Sequence, residues 1–461
     1  MFEPIEDQEI EMFKRQIISE LQQWAKSPYR KSLVLRGARQ VGKTTAMRMF
    51  GQEFDSFIEL NLEEPEDRAI FVDGTDVHSL YNLILLRKDI HPQNGPVLLF
   101  IDEIQHSSEA LLSLRYFYEK MPELYVVAAG SLLDVYLRRN RLEVPVGRVE
   151  YLWMSPCNFE EYLEAAGQDK LLSLMGEVPF PNWAYPVLRE QFMNYALVGG
   201  MPEVIRVWLE TRNIMEVRRI LDNIMQTYQD DAVKYAVNAD QASVLRHLID
   251  TAPTQATKLI SFEHFGDSDF RAQTVKNAFT LLEQSTLVKL VHPFTSTQLP
   301  SLPKLGKRPK LLFLDTGFVN IKANIHDQYF TAQGLHSIYK GVAMEHLVGQ
   351  QLLSIATSQG FKLGTWVRNA RNSSAEVDFV IIWQGRMIPI EVKAGKVGKL
   401  KSLQLFMDES EHDIAVRIYD GLTNWEIHST PTGKSFHLLN LNLGLCSKLL
   451  SYLVDAEIHK W

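Results

Sequence analysis

The sequence predicts an α/β chain that builds a parallel sheet first, a helical middle next and a mixed α/β domain last. Three stretches carry the prediction. In KSLVLRGARQVGKTTAMRMF an apolar strand, Leu33 to Leu35, runs through a glycine-bearing loop into a helical pattern. VLLFIDEIQ holds a continuous apolar run, Val97 to Ile101, such as a central parallel strand buried on both faces requires. AEVDFVIIWQGRMIPIEVKAGK, Ala375 to Lys396, alternates like two short strands around a turn yet keeps Asp378, Glu391 and Lys393. With 461 residues, 46% of them hydrophobic and 23% charged, the chain can fill several cores, and a disordered or fibrous class is excluded. A formal net charge of -8 excludes a surface that is basic throughout, so any polyanion contact is expected to be regional. Two distant cysteines, Cys157 and Cys446, make neither a disulfide framework nor a zinc site, which fits a reducing, cytoplasmic setting. The acidic start MFEPIEDQEIEMFKRQ does not read as a secretory signal, no apolar run reaches membrane-spanning length, and LNLGLCSKLLSYLV is expected to be a docking helix.

The first strand opens into Gly37-Ala38-Arg39-Gln40-Val41-Gly42-Lys43-Thr44-Thr45, a G-x-x-x-x-G-K-[ST] pattern in strand, loop and helix context. Glycines let backbone N–H groups curl around phosphate, Lys43 supplies a point charge, and the Thr44 hydroxyl suits Mg²⁺. The apolar run ending at Ile101 delivers Asp102 and Glu103 to the C-terminal end of a strand, where open α/β sheets place ligands. Asp102 is a candidate Mg²⁺ ligand and Glu103 a candidate base for an attacking water. The alternative, that these carboxylates cap the following helix, competes with Ser107 and Ser108. Another apolar strand, Leu124 to Ala129, ends in Gly130-Ser131, which makes Ser131 a candidate phosphate sensor. Arg148 is a candidate cation for the transferred phosphoryl group, in cis or from a neighbouring subunit. A surface role, or service by Arg138, Arg139 or Arg141, stands beside it.

GARQVGKTT, IDEIQ, AAGSLL and VGRVEYLWMSPCNFEEYL together resemble a bacterial and archaeal group of AAA-type P-loop ATPases, and ALVGGMPEVI continues the match through Gly199, Gly200 and Pro202. The resemblance implies ATP and Mg²⁺ as cofactors and a lid whose movement through Gly199 to Pro202 reports nucleotide state.

From Met201 the pattern turns helical, and from Asp240 it reads helix, helix, longer helix and strand, the order of a winged helix-turn-helix. Asp267, Ser268 and Asp269 are candidate N-caps for its third helix, which exposes Arg271, Gln273, Lys276 and Asn277 and buries Val275, Phe279 and Leu282. Contact with DNA and simple docking are both open readings of that face. The densest basic cluster follows, Lys304, Lys307, Arg308 and Lys310, read as a phosphate-backbone contact or a solvated turn.

If Gln384-Gly385 is a two-residue turn, Trp383 faces Arg386, Asp378 falls opposite Glu391, and Glu376 opposite Lys393. All four charged residues then share one face, with Val377, Phe379, Ile381, Ile388, Ile390 and Val392 on the core side. Facing carboxylates repel unless something positive lies between them, and a divalent cation is one candidate; a solvated face with ion pairs is the other reading. Upstream, SIYKGVAMEHLVGQQLLSIA is an amphipathic helix bringing a third carboxylate, Glu345. The order of Glu345, Asp378, Glu391 and Lys393 resembles the PD-(D/E)xK restriction-endonuclease-like fold. That resemblance implies Mg²⁺ or Mn²⁺ held by Asp378 and Glu391 with support from Glu345, Lys393 acting on water or phosphoryl oxygen, and Gln404 on the following helix. Arg368, Arg371, Lys396, Lys399 and Lys401 would suit a nucleic-acid strand.

The expected organisation is an AAA-type P-loop core over 1–165, a helical lid over 166–238, a winged helix over 239–305 and a PD-(D/E)xK nuclease-like domain over 306–461. The expected function is ATP hydrolysis coupled to metal-dependent cleavage of DNA. The alternative is an ATP-switched protein that binds DNA or a protein partner without cutting, with homo-oligomers allowed by either.

Overall fold

A computed structural model describes residues 14–92, 95–131, 133, 137, 147–329, 342–359, 362–370, 374–393 and 400–459. The chain divides into two compact units, 1–155 and 156–461. Where the sequence suggested four domains with a first boundary at 165, the helix Phe159–Ala165 falls in the second unit.

In the first unit, strands β1 (Ser32–Arg36), β2 (Ser56–Asn61), β3 (Val97–Asp102), β4 (Tyr125–Ala129) and β5 (Val149–Trp153) form a parallel sheet of order β2-β3-β4-β1-β5. Every residue of β3 is buried, as its unbroken apolar run requires. Its core gathers Val34, Ile58, Leu60, Leu99, Ile101 and Phe117 from strands and helices alike. Ser107 caps the helix Ser108–Lys120, accepting from the Ala110 N–H at 3.1 Å, so Asp102 and Glu103 are not needed as caps.

The second unit begins with helices. Asn158 and Glu161 close a reciprocal capping box on Phe159–Ala165, and Tyr185–Val198, Pro202–Thr211 and the 22-residue Ile214–Tyr235 follow. Ala239–Thr251 and Ala272–Gln284 lead into β6 (Val288–Val291), which pairs antiparallel with β8 (Lys310–Phe313). Ala272–Gln284 buries Val275, Phe279 and Leu282 and exposes Arg271, Gln273, Lys276 and Asn277, as its pattern predicts. Its N-cap is Arg271 without a side-chain cap; Ser268 instead donates to the Phe265 carbonyl at 2.8 Å. Of the expected caps, Ser268 therefore serves the preceding turn.

The second unit also carries a seven-stranded mixed sheet. β7 (Pro293–Phe294), β9 (Leu363–Val367), β10 (Glu376–Trp383), β11 (Arg386–Lys393), β12 (Ile414–Tyr419), β13 (Asn424–Ser429) and β14 (Ser435–Asn442) lie in the order β13-β14-β12-β11-β10-β9-β7. β10 and β11 pair antiparallel from Phe379↔Ile390 to Trp383↔Arg386 around Gln384-Gly385, whose φ values of 45° and 74° are those of a type I′ turn. The expected turn holds, and so does the expected register over Phe379 to Trp383. The expected single core face does not, because a register shift between Val377 and Val380 breaks strict alternation. Val377, Val380 and Met387 join one apolar cluster with Leu403, Phe406 and Met407 of the helix Lys401–Glu409, while Phe379, Ile381, Ile388 and Ile390 are buried too. Of the stretch expected as one docking helix, Leu441 and Asn442 end β14 and Leu443–Lys448 form a 3-10 turn; only the helix Leu449–His459 docks as expected, with Leu449, Tyr452 and Leu453 buried and the Tyr452 hydroxyl accepting from the Phe180 N–H at 2.9 Å. No described helix is long and apolar enough to cross a membrane.

Candidate functional site

The loop after β1 is shaped by backbone conformations that side chains disfavour. Gly37 has φ 152°, Gln40 φ 64° and Gly42 φ 94°. A Cβ on Gly37 would lie 2.3 Å from the Met154 carbonyl oxygen, so this position excludes any side chain. The Arg15 guanidinium braces the loop, donating to the Val41 and Ser155 carbonyls at 2.7 Å each. Lys43, 6% exposed, turns its ammonium inward and donates to the Gly37 and Ala38 carbonyls at 2.9 and 2.8 Å. Burial lowers its pKa to about 8, against the opposing pull of Glu103 and Asp102. Thr44 opens the helix Lys43–Gly51, and its hydroxyl donates to Asp102 Oδ2 at 2.6 Å. Burial raises the Asp102 pKa, with the Thr44 hydrogen bond opposing. Thr45 is exposed on the same turn, and Arg39 pairs with Glu63 at 2.7 Å.

Glu103 sits in a left-handed conformation, φ 51°, and its carboxylate accepts from the Gln105 carboxamide. Gln105 is itself packed on Gly130, where a Cβ would meet its Oε1 at 2.4 Å. Ser131 follows β4, between the ends of β1 and β3, and its buried hydroxyl has no hydrogen-bond partner among the described residues. Gly37 to Thr44, Asp102, Glu103 and Ser131 thus meet at the carboxyl edge of one sheet, as their sequence positions predict. Sequence reasoning missed Arg15, Gln105 and a group formed by Glu63, Glu103 and His106, whose ligand atoms lie within 4.8 Å of one another.

Arg148 falls elsewhere. It precedes β5, whose register sets Val149 beside Ser32 and Trp153 beside Arg36, so it stands at the opposite edge of the sheet from the loop that follows β1. There it pairs with Glu119 at 2.7 Å. The role expected of it in cis is thereby corrected: five extended residues separate it from the phosphate loop, roughly 16 Å at strand rise. Arg138, Arg139 and Arg141 lie outside the described residues.

In the second unit, Lys310 was expected in a solvated or phosphate-facing turn. Lys304, Lys307 and Arg308 are exposed, but Lys310 is 1% exposed, drawn inside by its place at the head of the fully buried strand β8. Its ammonium lies 2.6 Å from Glu345, 3.0 Å from Glu376 and 3.6 Å from Asp378, with the Phe379 ring centroid 5.3 Å away. Burial alone would lower its pKa; Glu345, Asp378 and Glu376 outweigh that and raise it. The positive charge that the hairpin's carboxylates demand is therefore supplied in part by the chain itself. Asp378 Oδ2 also accepts from the Val392 N–H at 2.8 Å, and Lys393 lies 2.5 Å from Glu391 Oε1. Glu391 is 7% exposed, and its Oε2 has no hydrogen-bond partner among the described residues. Burial, with the Asp378 charge for Glu391, pushes both Glu345 and Glu391 up to about 7. Gln404 is not brought to this cluster: it donates to the Ser429 carbonyl at 3.3 Å, and Arg368 pairs with Glu409 at 2.8 Å. Arg371, Lys396 and Lys399 lie outside the described residues, while Lys401 is exposed.

The Gly199–Pro202 segment corrects a further expectation. Gly200 donates to Asp315 at 2.7 Å and accepts from the Cys157 N–H at 2.7 Å, and a Cβ on Gly199 would fall 2.0 Å from Asp315 Oδ1. Asp315 accepts also from Gly317 and Gln350. The paired glycines serve close packing in the unit's core, which is the opposite of a loose hinge.

Residues 29–163 match a family model described as AAA domain, and residues 189–329 and 340–440 match two described as domains of unknown function (DUF8612 and DUF4143). No curated protein matches. Among solved structures, the chain is similar to a Walker-type ATPase of Pyrococcus abyssi at 13% identity, with 67% of this chain and 95% of that one covered and a TM-score of 0.43. The ORC2 protein of Aeropyrum pernix matches at 12% identity over 68% of this chain and 93% of that one, TM-score 0.35. The RuvB Holliday junction branch migration motor of Thermotoga maritima matches at 13% over 64% and 93%, TM-score 0.27. At scores this low no property of those proteins passes to this chain. The sheet, its phosphate loop and the matching family model agree on the first unit, which is a P-loop AAA ATPase domain.

Proposed function

We propose that this chain hydrolyses Mg·ATP in its first unit and carries in its second a metal-dependent nuclease site that acts on DNA. The observation that supports hydrolysis is the convergence of Thr44 and Asp102 at 2.6 Å, a pair of hard oxygen donors beside the Lys43 ammonium. Backbone N–H groups from Ala38 to Thr44 bind the phosphate oxygens, and Lys43 exchanges the Gly37 and Ala38 carbonyls for the outer phosphates. Thr44 and Asp102 would hold Mg²⁺, which when bound neutralises phosphate charge and orients the terminal phosphoryl group. Glu103, steadied by Gln105, takes the proton of the attacking water, and the Ser131 hydroxyl donates to the terminal phosphate. Arg148 stabilises phosphoryl charge only as a trans-acting residue within a homo-oligomer.

In the second unit the observation is the buried Glu391 Oε2, which has no hydrogen-bond partner among the described residues, with the Asp378 charge acting on it. Four carboxylates, Glu345, Glu376, Asp378 and Glu391, surround two ammonium groups, Lys310 and Lys393, which leaves an excess of two negative charges when all are ionised. Among the described residues no three of these carboxylates bring ligand atoms within 4.8 Å of one another, so Mg²⁺ or Mn²⁺ would rest on Asp378 and Glu391 together with water, and when bound would supply an activated water and neutralise phosphodiester charge. Lys393 would steady the phosphoryl oxygen while the water–phosphorus bond forms, the bridging P–O bond breaks, and the proton lost by the water reaches the leaving oxygen through solvent. The test incubates wild type and Asp378→Ala with linear, circular and single-stranded DNA, Mg²⁺ or Mn²⁺, with and without ATP. Cleavage lost in the variant supports the reading; no cleavage by wild type beside normal ATP turnover refutes it.

Lys310 favours a second reading, an ATP-switched protein that binds DNA or a protein partner without cutting, because its ammonium already satisfies part of the cluster. Binding that survives Lys393→Ala while no variant cuts selects this reading.

A further inference from the structure

We infer that Lys310 is a built-in cation of the second unit's carboxylate site: its ammonium stands where a second metal ion would bind, takes Glu345 and Glu376 as counter-ions, and leaves Asp378 and Glu391 to hold a single divalent cation. The inference rests on the metal reading of that site and specifies its stoichiometry and ligands. Three observations carry it. The ammonium lies within 2.6 Å of Glu345 and 3.0 Å of Glu376, hydrogen-bond distances, but 3.6 Å from Asp378, so Asp378 is the carboxylate of the three that it does not hydrogen-bond. Lys310 is 1% exposed at the head of β8, and the Phe379 ring lies against it. A buried ammonium among three carboxylates is costly to displace, and a metal ion in the same place would face a like charge a few ångströms away. Glu391, by contrast, keeps one buried oxygen with no hydrogen-bond partner among the described residues, and its other oxygen is met by Lys393. The remaining capacity for a cation therefore lies on the Asp378–Glu391 side. Glu345, which the sequence order offers as a metal ligand, becomes instead the residue that positions Lys310.

The experiment counts Mn²⁺ on the full, nucleotide-free chain by electron paramagnetic resonance titration. Wild type should hold one ion more than Glu391→Gln, which isolates the site from ions bound in the first unit. Glu345→Gln should keep that ion with affinity within about threefold of wild type, whereas loss of a true ligand or its orienting partner costs ~10–100-fold. Lys310→Met, with three carboxylates freed, should take one ion more than wild type. Loss of the ion in Glu345→Gln, or a folded Lys310→Met that gains none, overturns the inference while leaving the metal reading intact. Equal counts for wild type and Glu391→Gln overturn the metal reading and the inference together. Should Lys310→Met not fold, the Glu345→Gln titration decides alone.

Discussion

Asp315→Ala should loosen the Gly199–Pro202 segment sharply. Asp315 is 0% exposed and accepts from the Gly200 N–H at 2.7 Å, the Gly317 N–H at 2.8 Å and the Gln350 carboxamide at 2.7 Å. Truncation leaves these three donors facing an apolar void. A buried donor left unmade costs ~1–3 kcal/mol, so three together cost ~3–6 kcal/mol once some relaxation is allowed. At 1.4 kcal/mol per tenfold, amide protection over residues 196–202 and 313–320 should fall by about two to four orders of magnitude. Hydrogen exchange read by mass spectrometry on those peptides measures it directly, with the first unit's peptides as an internal reference. Asp315→Asn keeps the shape and loses one acceptor, so it should fall between wild type and Asp315→Ala. A loss below about tenfold in Asp315→Ala would refute the idea that this carboxylate fastens the glycine pair, and would restore the segment as a candidate hinge.

Three further outcomes follow from the same geometry. His346 is fully buried between Phe313 and Thr316, and burial pushes its pKa down from 6.5 to about 4. The unfolded chain therefore takes up a proton that the native state refuses. Stability held above pH 6.5 is lost as pH falls toward 4, by at most about 3 kcal/mol at 1.36 kcal/mol per pKa unit. Urea midpoints compared with those of His346→Gln at several pH values should converge as pH drops; a pH-independent difference would count against it. Gly37→Ala puts a Cβ 2.3 Å from the Met154 carbonyl oxygen at φ 152°, so the loop must shift, and nucleotide affinity by fluorescence titration should fall at least ~10-fold. Arg148→Ala should leave turnover at low protein concentration within about twofold of wild type, since Arg148 lies at the far sheet edge; a large loss there would return it to a role in cis.

The phosphate loop was legible because its chemistry is local. Gly37, Gly42, Lys43 and Thr44 occupy one strand–loop–helix unit, and the apolar run of β3 ends at Asp102 whatever surrounds it. The β10–β11 turn was legible for the same reason, since Gln384-Gly385 by itself sets the register. What the sequence left open depends on partners far along the chain. Lys310 reads as one more residue of a basic cluster until β8 is laid against the helix Val342–Gln359 and meets Glu345, Glu376 and Asp378. Gly199 and Gly200 read as a hinge until Asp315 closes on them. Arg148 reads as a phosphate-directed cation until parallel pairing of β5 with β1 carries it to the other edge. In each case residue type announced a charge or a freedom, and only long-range packing decided its partner, because hydrogen bonds and ion pairs a few ångströms long are set by the meeting of elements rather than by their order.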